Sequence, residues 1–254
     1  MNVIILGSGT AIPLIDRGSP SLAVVIEGKP ILLDMGPGAL RQLGRAGISY
    51  EQVERIFLTH FHPDHTADLI HLFFASRNPT VLRRRRPFKV AGPTGTARLI
   101  AALQEAYPDW LSLPSEVMGI EELDRGRNAR RDYGNFTVIT TPTDHTPHSL
   151  AYRVEDREGK SVVYSGDTGF CDEVIELAQG ADLLILESSF PDGEGCKGHL
   201  TPSLAGRMAT LAGVEWLVLV HFYPESLRTD VAAQCRKTYD GELILGEDLL
   251  PLHV

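Results

Sequence analysis

The chain has 254 residues, of which 43% are hydrophobic, so it is long enough to bury one sizeable core. Its formal net charge of −9 argues against a general nucleic-acid-coating surface, which is usually basic. Its three cysteines are widely spaced and show no CxxC pattern, so we expect no disulfide framework. Neither a signal-peptide pattern nor an apolar run of membrane-spanning length stands out, and we expect a cytoplasmic protein without membrane contact.

Strands and helices are mixed along the chain. Apolar runs bounded by turn residues predict strands over residues 3–6, 21–27, 30–34, 55–59, 87–91, 136–141, 149–155, 161–165, 183–187 and 216–220. Helical spacing and end signals predict helices over residues 39–46, 67–76, 94–106, 172–178 and 202–212. Because hairpins fall in both halves, this order indicates an α+β domain spanning residues 1–254, with two packed mixed sheets and helices outside.

Two further segments are candidates for lids over a pocket, residues 66–90 and 107–132. They carry the aromatic residues Phe73, Phe74, Tyr107 and Trp110. These rings either line a pocket or belong to the core, and the core is the commoner place for aromatic residues at helical spacing.

Three histidines and a carboxylate lie within the six residues from His60 to His65. Imidazole and carboxylate ligands suit zinc, and the absence of a thiolate favours a hydrolytic metal over a structural one. His60 and His62 lie two apart and point the same way from an extended segment, whereas Asp64 and His65 can reach a second point. The motif predicts two metal ions a few ångströms apart, an arrangement that holds and activates a hydroxide.

Histidine and carboxylate recur where other predicted strands end. Asp34 ends one strand, and His145, Asp167 and His221 each follow another. Loops at one rim of a rigid sheet are a suitable place to collect ligands from distant parts of a chain. We therefore expect these side chains to join the His60–His65 motif.

An ordered set of short motifs identifies a family. The motifs are Leu6-Gly7-Ser8-Gly9-Thr10, Asp34-Met35-Gly36-Pro37-Gly38, the His60–His65 motif, His145 with Ala151-Tyr152-Arg153, Ser165-Gly166-Asp167-Thr168, Gly198-His199-Leu200-Thr201 and Val220-His221. With them the chain resembles the metallo-β-lactamase-fold hydrolases almost end to end, and more narrowly the ribonuclease Z-like branch. The resemblance implies a four-layer αββα sandwich with two zinc ions at one edge, although manganese or iron could take their place.

The resemblance also implies a metal-ligand set. The implied ligands are His60, His62 and His145 for the first ion, Asp64, His65 and His221 for the second, and Asp167 bridging both. Asp34 is then a neighbour of the ligands that orients a histidine by hydrogen bonding, unless it is only a turn residue at a strand end.

Four other histidines need separate interpretation. His148 lies three residues after His145 and is the alternative first-ion ligand, a proton donor in the pocket or a polar loop residue. His199 precedes a helix start and resembles a histidine that contacts the scissile phosphate or assists the leaving group, so we expect it to be catalytic together with Asp64. We expect His71 and His253 to be structural or surface residues.

These observations favour a zinc-dependent phosphodiesterase with a small or moderate-sized substrate. Ribonuclease Z enzymes carry an arm that grips tRNA between the residues that correspond to His145 and Asp167, and only 22 positions separate those two here. A 3′ tRNA endonuclease without that arm is the nearest competing function, so nucleic acid is a less favoured substrate. A carboxylic ester, thioester or lactone hydrolase and a non-catalytic metal-binding protein also fit the motifs.

The sequence leaves two properties undecided, the role of one arginine run and the oligomeric state. The run from Arg83 to Arg86 either binds phosphate or forms a solvated loop or subunit contact. A homodimer is suggested by the resemblance alone.

Overall fold

Two seven-stranded sheets form the centre of the molecule in the computed structural model, which describes residues 1–254. The strands of the first sheet are β1 (Asn2–Gly7), β2 (Ser21–Ile26), β3 (Lys29–Leu33), β4 (Arg55–Phe57), β5 (Phe88–Pro93), β6 (Met118–Leu123) and β14 (Pro251–His253). Those of the second sheet are β7 (Ala129–Asp132), β8 (Phe136–Pro142), β9 (Leu150–Asp156), β10 (Ser161–Tyr164), β11 (Leu183–Glu187), β12 (Trp216–Val220) and β13 (Glu242–Leu245).

The two sheets have matching topologies. The first runs in the order β14-β1-β2-β3-β4-β5-β6, antiparallel as far as β3 and parallel from β3 to β6. The second runs in the order β13-β12-β11-β10-β9-β8-β7, parallel from β13 to β10 and antiparallel beyond. The final strand returns to pair with β1, and thereby ties the end of the chain to its beginning.

Helices cover the outer faces of both sheets. They are α1 (Ala39–Arg45), α2 (Pro63–Thr66), α3 (Asp68–Ser76), α4 (Pro79–Leu82), α5 (Thr96–Ala106), α6 (Asp172–Ala178), α7 (Pro202–Ala212), α8 (Pro224–Leu227) and α9 (Val231–Cys235), with a 3₁₀ turn over Tyr50–Gln52. No helix combines the length and the apolar character needed to cross a membrane.

Apolar side chains divide into three layers. One cluster lies between the sheets and takes residues from both, among them Ile5, Phe57 and Tyr152. A second fills the space between the second sheet and α6, α7 and α9, and a third lies between the first sheet and α1, α3 and α5. The predicted αββα sandwich is thus confirmed, because each sheet buries both faces.

The elements predicted from apolar runs are present with small shifts at their ends. The largest shifts are of two residues: β4 ends at Phe57 rather than at Thr59, β5 ends at Pro93 rather than at Ala91, and α5 begins at Thr96 rather than at Thr94. The Thr59 N–H donates to the Asp34 carboxylate at 2.7 Å, so it leaves the strand ladder there.

Four strands have no counterpart in the sequence prediction, namely β6, β7, β13 and β14. All of them lie at the edges of the sheets, where a strand buries little side-chain surface. Three of them, β6, β7 and β13, also carry charged residues. The expectation of a lid over residues 107–132 is therefore wrong for the part that forms β6 and β7.

The four aromatic residues of the expected lids divide between core and surface. Phe73 is fully buried, whereas Phe74, Tyr107 and Trp110 are exposed. These three rings, with Ile70 and Leu111 among the other residues, line an open apolar groove of about 560 Å³ between α3 and the segment after α5.

The arginine run is packed at one residue and exposed at three: Arg85 is buried, whereas Arg83, Arg84 and Arg86 are exposed. Three of its members contact the segment 50–54: Arg84 pairs with Glu51, Arg85 donates to the Tyr50 carbonyl and Arg86 pairs with Glu54. Arg85 is only 6% exposed, its guanidinium lies 4.2 Å from the centre of the Phe88 ring, and burial lowers its pKa to about 10. The run therefore fastens α4 and the following loop to the 3₁₀ turn.

The aromatic centre of the inter-sheet core provides a test of this packing. Phe57 is 0% exposed, and its ring centre lies 5.6 Å from that of Tyr133 and 5.7 Å from that of Tyr152. We expect Phe57→Ala to lower the free energy of unfolding by about 3–5 kcal/mol in urea denaturation, because it leaves a cavity between the sheets. The control Phe74→Ala removes a 52% exposed ring and should cost less than about 1 kcal/mol. Equal losses in both variants would contradict this packing.

Candidate metal centre

The strand ends converge as the sequence analysis expected. Asp34 directly follows β3, Asp167 lies three residues beyond β10 and His221 directly follows β12. The segment after β4 carries the His60–His65 motif, and the loop between β8 and β9 carries His145. The two sheets deliver these side chains to one edge of the sandwich.

Asp167 lies at the centre of the cluster. Its Oδ1 is 3.1 Å from His65 Nε2 and 3.2 Å from His221 Nε2. Its Oδ2 is 3.7 Å from His60 Nε2 and 3.6 Å from His145 Nε2. One carboxylate therefore faces two sets of imidazoles, one with each oxygen.

Asp64 and His62 complete the two sets. Asp64 Oδ2 lies 3.8 Å from His65 Nε2 and 3.7 Å from His221 Nε2. His62 Nδ1 lies 3.2 Å from His145 Nε2. Three overlapping groups bring potential ligand atoms within 4.8 Å of one another: His60, His62, His145 and Asp167; Asp64, His65 and His221; and Asp167, His199 and His221.

Several of these atoms are buried without a hydrogen-bond partner, namely Nε2 of His60, His65 and His221 and Oδ1 of Asp167. Buried polar atoms are normally hydrogen-bonded, so a convergent set of unpartnered acceptors requires an explanation. Imidazole nitrogens and carboxylate oxygens at this spacing are ligands that suit a divalent ion such as zinc. The donor set thus fits the metal ions that the motif predicts.

Asp34 fixes two of the histidines from the side of the first sheet. Its Oδ2 accepts from His65 Nδ1 at 2.7 Å and from the Thr59 hydroxyl at 2.8 Å. Since the Thr59 oxygen in turn lies 2.9 Å from His60 Nδ1, both rings keep Nε2 turned toward the cluster. Tyr164 also donates to Asp34 at 3.2 Å, which links this carboxylate to the second sheet.

Glu187 repeats the arrangement from the second sheet. Its Oε1 accepts from His199 Nδ1 at 2.9 Å, and its Oε2 accepts from the Ser189 hydroxyl at 2.5 Å. The Ser189 oxygen lies 2.9 Å from His221 Nδ1. Each sheet therefore supplies one buried carboxylate that holds one imidazole directly and a second through a hydroxyl.

His145 is held differently. Its Nδ1 donates to the Gly198 carbonyl at 2.9 Å, so the loop before α7 sets its orientation. The backbone of Gly166, next to Asp167, lies against Thr59, because a Cβ on Gly166 would lie 2.7 Å from the Thr59 Cβ. Glycine is needed there for space and for its φ of 56°.

Four residues around the cluster were not predicted from the sequence, namely Glu187, Ser189, Thr59 and Tyr164. Glu187 had a usable signal, because it ends the apolar strand 183–187 as Asp34 ends strand 30–34. Thr59, Ser189 and Tyr164 have none, since isolated hydroxyl residues near strand ends are common.

The electrostatic environment shifts the pKa values of the clustered histidines in different directions. Burial lowers the pKa of His60, and the neighbouring His65 adds to that effect. Burial alone would also lower the pKa of His65, but Asp167 and Asp34 raise it well above its usual value. Burial opposes ionisation of Asp167, yet His221 and His65 hold the pKa of that carboxyl well below its usual range. A metal ion that takes these ligands therefore competes with a proton at His65.

His199 has a different environment. Burial would lower the pKa of His199, but its hydrogen bond to Glu187 raises it above the ordinary value. Its ring also contacts His145, with 4.8 Å between the ring centres. A histidine held in this way can carry a proton at the edge of the cluster.

The remaining sequence candidates lie outside the cluster. His148 is exposed and is not among the grouped ligand atoms, so the structure brings His145 and not His148 to the site. His71 is exposed on α3 beside Asp68, and His253 donates to the Asn2 side chain at the far end of β14.

The hydrogen bonds of Glu187 generate a stability prediction. Besides His199 and Ser189, its oxygens accept the Thr168 and Leu200 N–H groups. Glu187→Gln turns an NH₂ group toward two of these donors, and we expect the free energy of unfolding to fall by about 1–3 kcal/mol in urea denaturation. The control Glu225→Gln changes an exposed side chain and should stay within about 0.5 kcal/mol. A neutral result for both variants would show that Glu187 is not the acceptor described.

Known proteins resemble this chain over its whole length. A family model for the beta-lactamase superfamily domain matches residues 29–222. A ribonuclease Z from Mycobacterium sp. (strain KMS) is 32% identical over 275 aligned positions, which cover 98% of this chain and 94% of the relative. The crystal structure of the short form of human tRNase Z has a TM-score of 0.79 at 26% identity, with 100% of this chain and 99% of that chain covered.

A further crystal structure shares the fold. The metallo-beta-lactamase fold protein YhfI from Bacillus subtilis has a TM-score of 0.85 at 22% identity, with 99% of each chain covered. The family model, the sequence relative and the shared two-sheet architecture agree. The chain therefore belongs to the beta-lactamase superfamily and, within it, to the ribonuclease Z-like branch, and it is a metal-dependent hydrolase.

Proposed function

We propose that the protein is a dinuclear zinc phosphodiesterase. The observation that carries the proposal is the position of Asp167, whose two oxygens face two separate sets of imidazoles. The proposed ligands are His60, His62 and His145 for one ion, Asp64, His65 and His221 for the other, and Asp167 for both. Manganese or iron would also accept this set, because it contains no thiolate.

Two bound ions would supply an activated water and would stabilise the negative charge that develops on the phosphoryl oxygens. The chain's own residues perform the remaining tasks. Asp64 takes the proton of the attacking water, since its carboxylate borders both His65 and His221. Asp34 and Glu187 hold the imidazoles in one tautomer, so the site is ordered before substrate binds.

His199 donates a proton to the departing oxygen in this proposal. Glu187 accepts from Nδ1, and this contact leaves the other ring nitrogen available to the substrate. The raised pKa of His199 favours the protonated form that a general acid needs.

A second candidate function is 3′ tRNA processing, and the relatives named ribonuclease Z favour it. The segment between His145 and Asp167 argues against a tRNA-gripping arm, because β9 and β10 form a plain hairpin with a tight turn at Gly159. The aligned length of 275 positions exceeds the 254 residues of this chain, so the relative carries insertions that this chain lacks. We therefore favour small or moderate-sized phosphodiesters over a whole tRNA.

Hydrolysis of other ester classes and metal binding without catalysis can be tested with the same protein. Cleavage of carboxylic esters, thioesters or lactones would suit the fold, since fold alone does not fix the reaction. A non-catalytic metal-binding protein would take up two metal ions and hydrolyse none of these substrates.

Asp64 provides the most direct test of the proposed function. Protein shown by elemental analysis to hold two zinc ions should hydrolyse bis(4-nitrophenyl) phosphate. Asp64→Ala should lower the rate at least about a hundredfold, because the loss of a ligand should cost no less than the loss of a residue behind the ligands.

The control for that experiment is Asp240→Ala, which changes an exposed carboxylate and should keep the wild-type rate. Near-normal activity of the Asp64 variant would exclude the proposed role. If protein loaded with two metal ions shows no turnover, the substrate class to test next is carboxylic esters, thioesters or lactones.

The role of His199 can be tested with the leaving group as the probe. A dinucleotide releases a poorly stabilised alkoxide and needs a general acid, whereas a 4-nitrophenyl ester releases a stable phenolate. His199→Ala should lower kcat about a hundredfold or more on the dinucleotide. On bis(4-nitrophenyl) phosphate the loss should be less than about tenfold, because little protonation is needed. His71→Ala is the matched control, and equal losses of the His199 variant on both substrates would contradict a proton-donor role.

A further inference from the structure

One tyrosine beside the candidate metal centre has no role in the proposed function. Tyr223 lies two residues after His221 and directly precedes α8. Its ring centre lies 5.8 Å from that of His221 and 6.4 Å from that of His199, with interplanar angles of 71° and 76°. The ring therefore lies where the proposed proton donor meets a proposed ligand of the second ion.

Further contacts hold the Tyr223 side chain in place. The ring of Phe190 stacks on it with 4.8 Å between centres and an interplanar angle of 16°. The Tyr223 N–H donates to the Ser189 carbonyl at 3.3 Å, and the Leu227 N–H donates to the Tyr223 carbonyl at 3.2 Å. Ring and backbone are both ordered before a substrate arrives, which lowers the entropic cost of a contact with it.

The hydroxyl of Tyr223 has no hydrogen-bond partner in the protein, although the ring is partly buried. Four other tyrosines do donate to a protein oxygen, namely Tyr133, Tyr152, Tyr164 and Tyr239. Burial raises the pKa of the Tyr223 hydroxyl to about 12, and the charges of Asp64 and Asp167 are the next causes of that rise. The free hydroxyl thus lies close to the carboxylates of the cluster.

A phosphodiester in the centre would need hydrogen-bond donors at this position. Its negative charge lies on the non-bridging oxygens and is redistributed as water attacks. The unpartnered nitrogens of the cluster, Nε2 of His60, His65 and His221, are acceptors. They can hold ions, but they cannot donate to a substrate oxygen. Tyr223 supplies an O–H group beside them.

We propose that the Tyr223 hydroxyl donates a hydrogen bond to a non-bridging oxygen of the scissile phosphoryl group. The inference rests on the proposed phosphodiesterase function and adds a catalytic residue to it. The role is separate from that of His199, which donates to the departing oxygen. A donor that is ordered in advance acts most strongly where charge develops, so the hydroxyl should affect kcat more than KM.

Tyr223→Phe provides the test, because it removes the hydroxyl and keeps a ring stacked on Phe190. In protein that holds two zinc ions, kcat on bis(4-nitrophenyl) phosphate should fall about ten- to a hundredfold, and KM should change less than about threefold. The same loss should appear on a dinucleotide, since the contact does not involve the departing group. Tyr107→Phe is the matched control, because it removes the hydroxyl of an exposed tyrosine directly after α5, and it should keep the wild-type rate.

Calorimetric binding of two oxyanions provides a readout without turnover. Orthovanadate can adopt the five-coordinate geometry of a phosphoryl transition state, whereas inorganic phosphate stays tetrahedral. In Tyr223→Phe the dissociation constant of orthovanadate should rise at least about tenfold, and that of phosphate less than about threefold. Elemental analysis should still find two zinc ions, because the hydroxyl is not a proposed ligand.

Tyr223→Leu separates the role of the ring from that of the hydroxyl. This variant removes the stacked ring together with the hydroxyl, and thermal unfolding shows whether it is folded. Wild-type kcat in Tyr223→Phe, with a loss of activity only in Tyr223→Leu, would make the ring a structural element and would overturn the inference.

Three other results for Tyr223→Phe would also overturn the inference. Loss of one zinc ion would make the hydroxyl a ligand. A much larger loss of kcat on the dinucleotide than on the nitrophenyl ester would make Tyr223 the proton donor to the leaving group. A raised KM with unchanged kcat would confine the contact to ground-state binding. Each of these results leaves the phosphodiesterase assignment intact.

Failure of the proposed function has a different signature. If the wild-type protein holds two zinc ions and turns over neither substrate, the proposed function is removed, and the inference with it.

Discussion

Two buried carboxylates, one from each sheet, organise the rest of the site. Asp34 and Glu187 are both 0% exposed, and a carboxylate is expensive to bury unless every oxygen accepts hydrogen bonds. Each meets this requirement by binding one imidazole directly and a second through the hydroxyl of Thr59 or Ser189. The need to satisfy these two carboxylates fixes four histidine rings, and three of them, His60, His65 and His221, point Nε2 at Asp167.

The backbone adopts an unfavourable conformation at two residues of this arrangement. Asp34 has a φ of 62° and His221 a φ of 61°, and left-handed conformations are unfavourable for residues other than glycine. Both residues directly follow a strand of the sandwich, so the packed sheets can hold them in that conformation. The packed sheets thus support a site whose local geometry would not be stable in an isolated loop.

The rigid packing of the two sheets also orders the ligand atoms of the site. Because the ligand atoms are ordered by contacts outside the cluster, binding of metal ions and substrate needs little rearrangement of the protein. The surroundings of the centre then determine which substrate can enter. In this chain β9 and β10 form a plain hairpin, and the stacked rings of Phe190 and Tyr223 lie beside His199 and His221.

The sequence by itself determined the order of the main elements, the two-sheet architecture and the cluster of histidines and aspartates at strand ends. Apolar periodicity and strand-end chemistry are local properties, so they can be read without coordinates. The edge strands β6 and β7 were missed because a strand paired at a sheet edge buries little and carries charge.

Only the tertiary structure decided which residues hold the expected cluster in place and which lie outside it. The pairing of Glu187 with His199, the exclusion of His148 from the cluster and the burial of Arg85 depend on how two sheets and their loops pack against each other. Such contacts join segments far apart in the chain, and no local pattern encodes them.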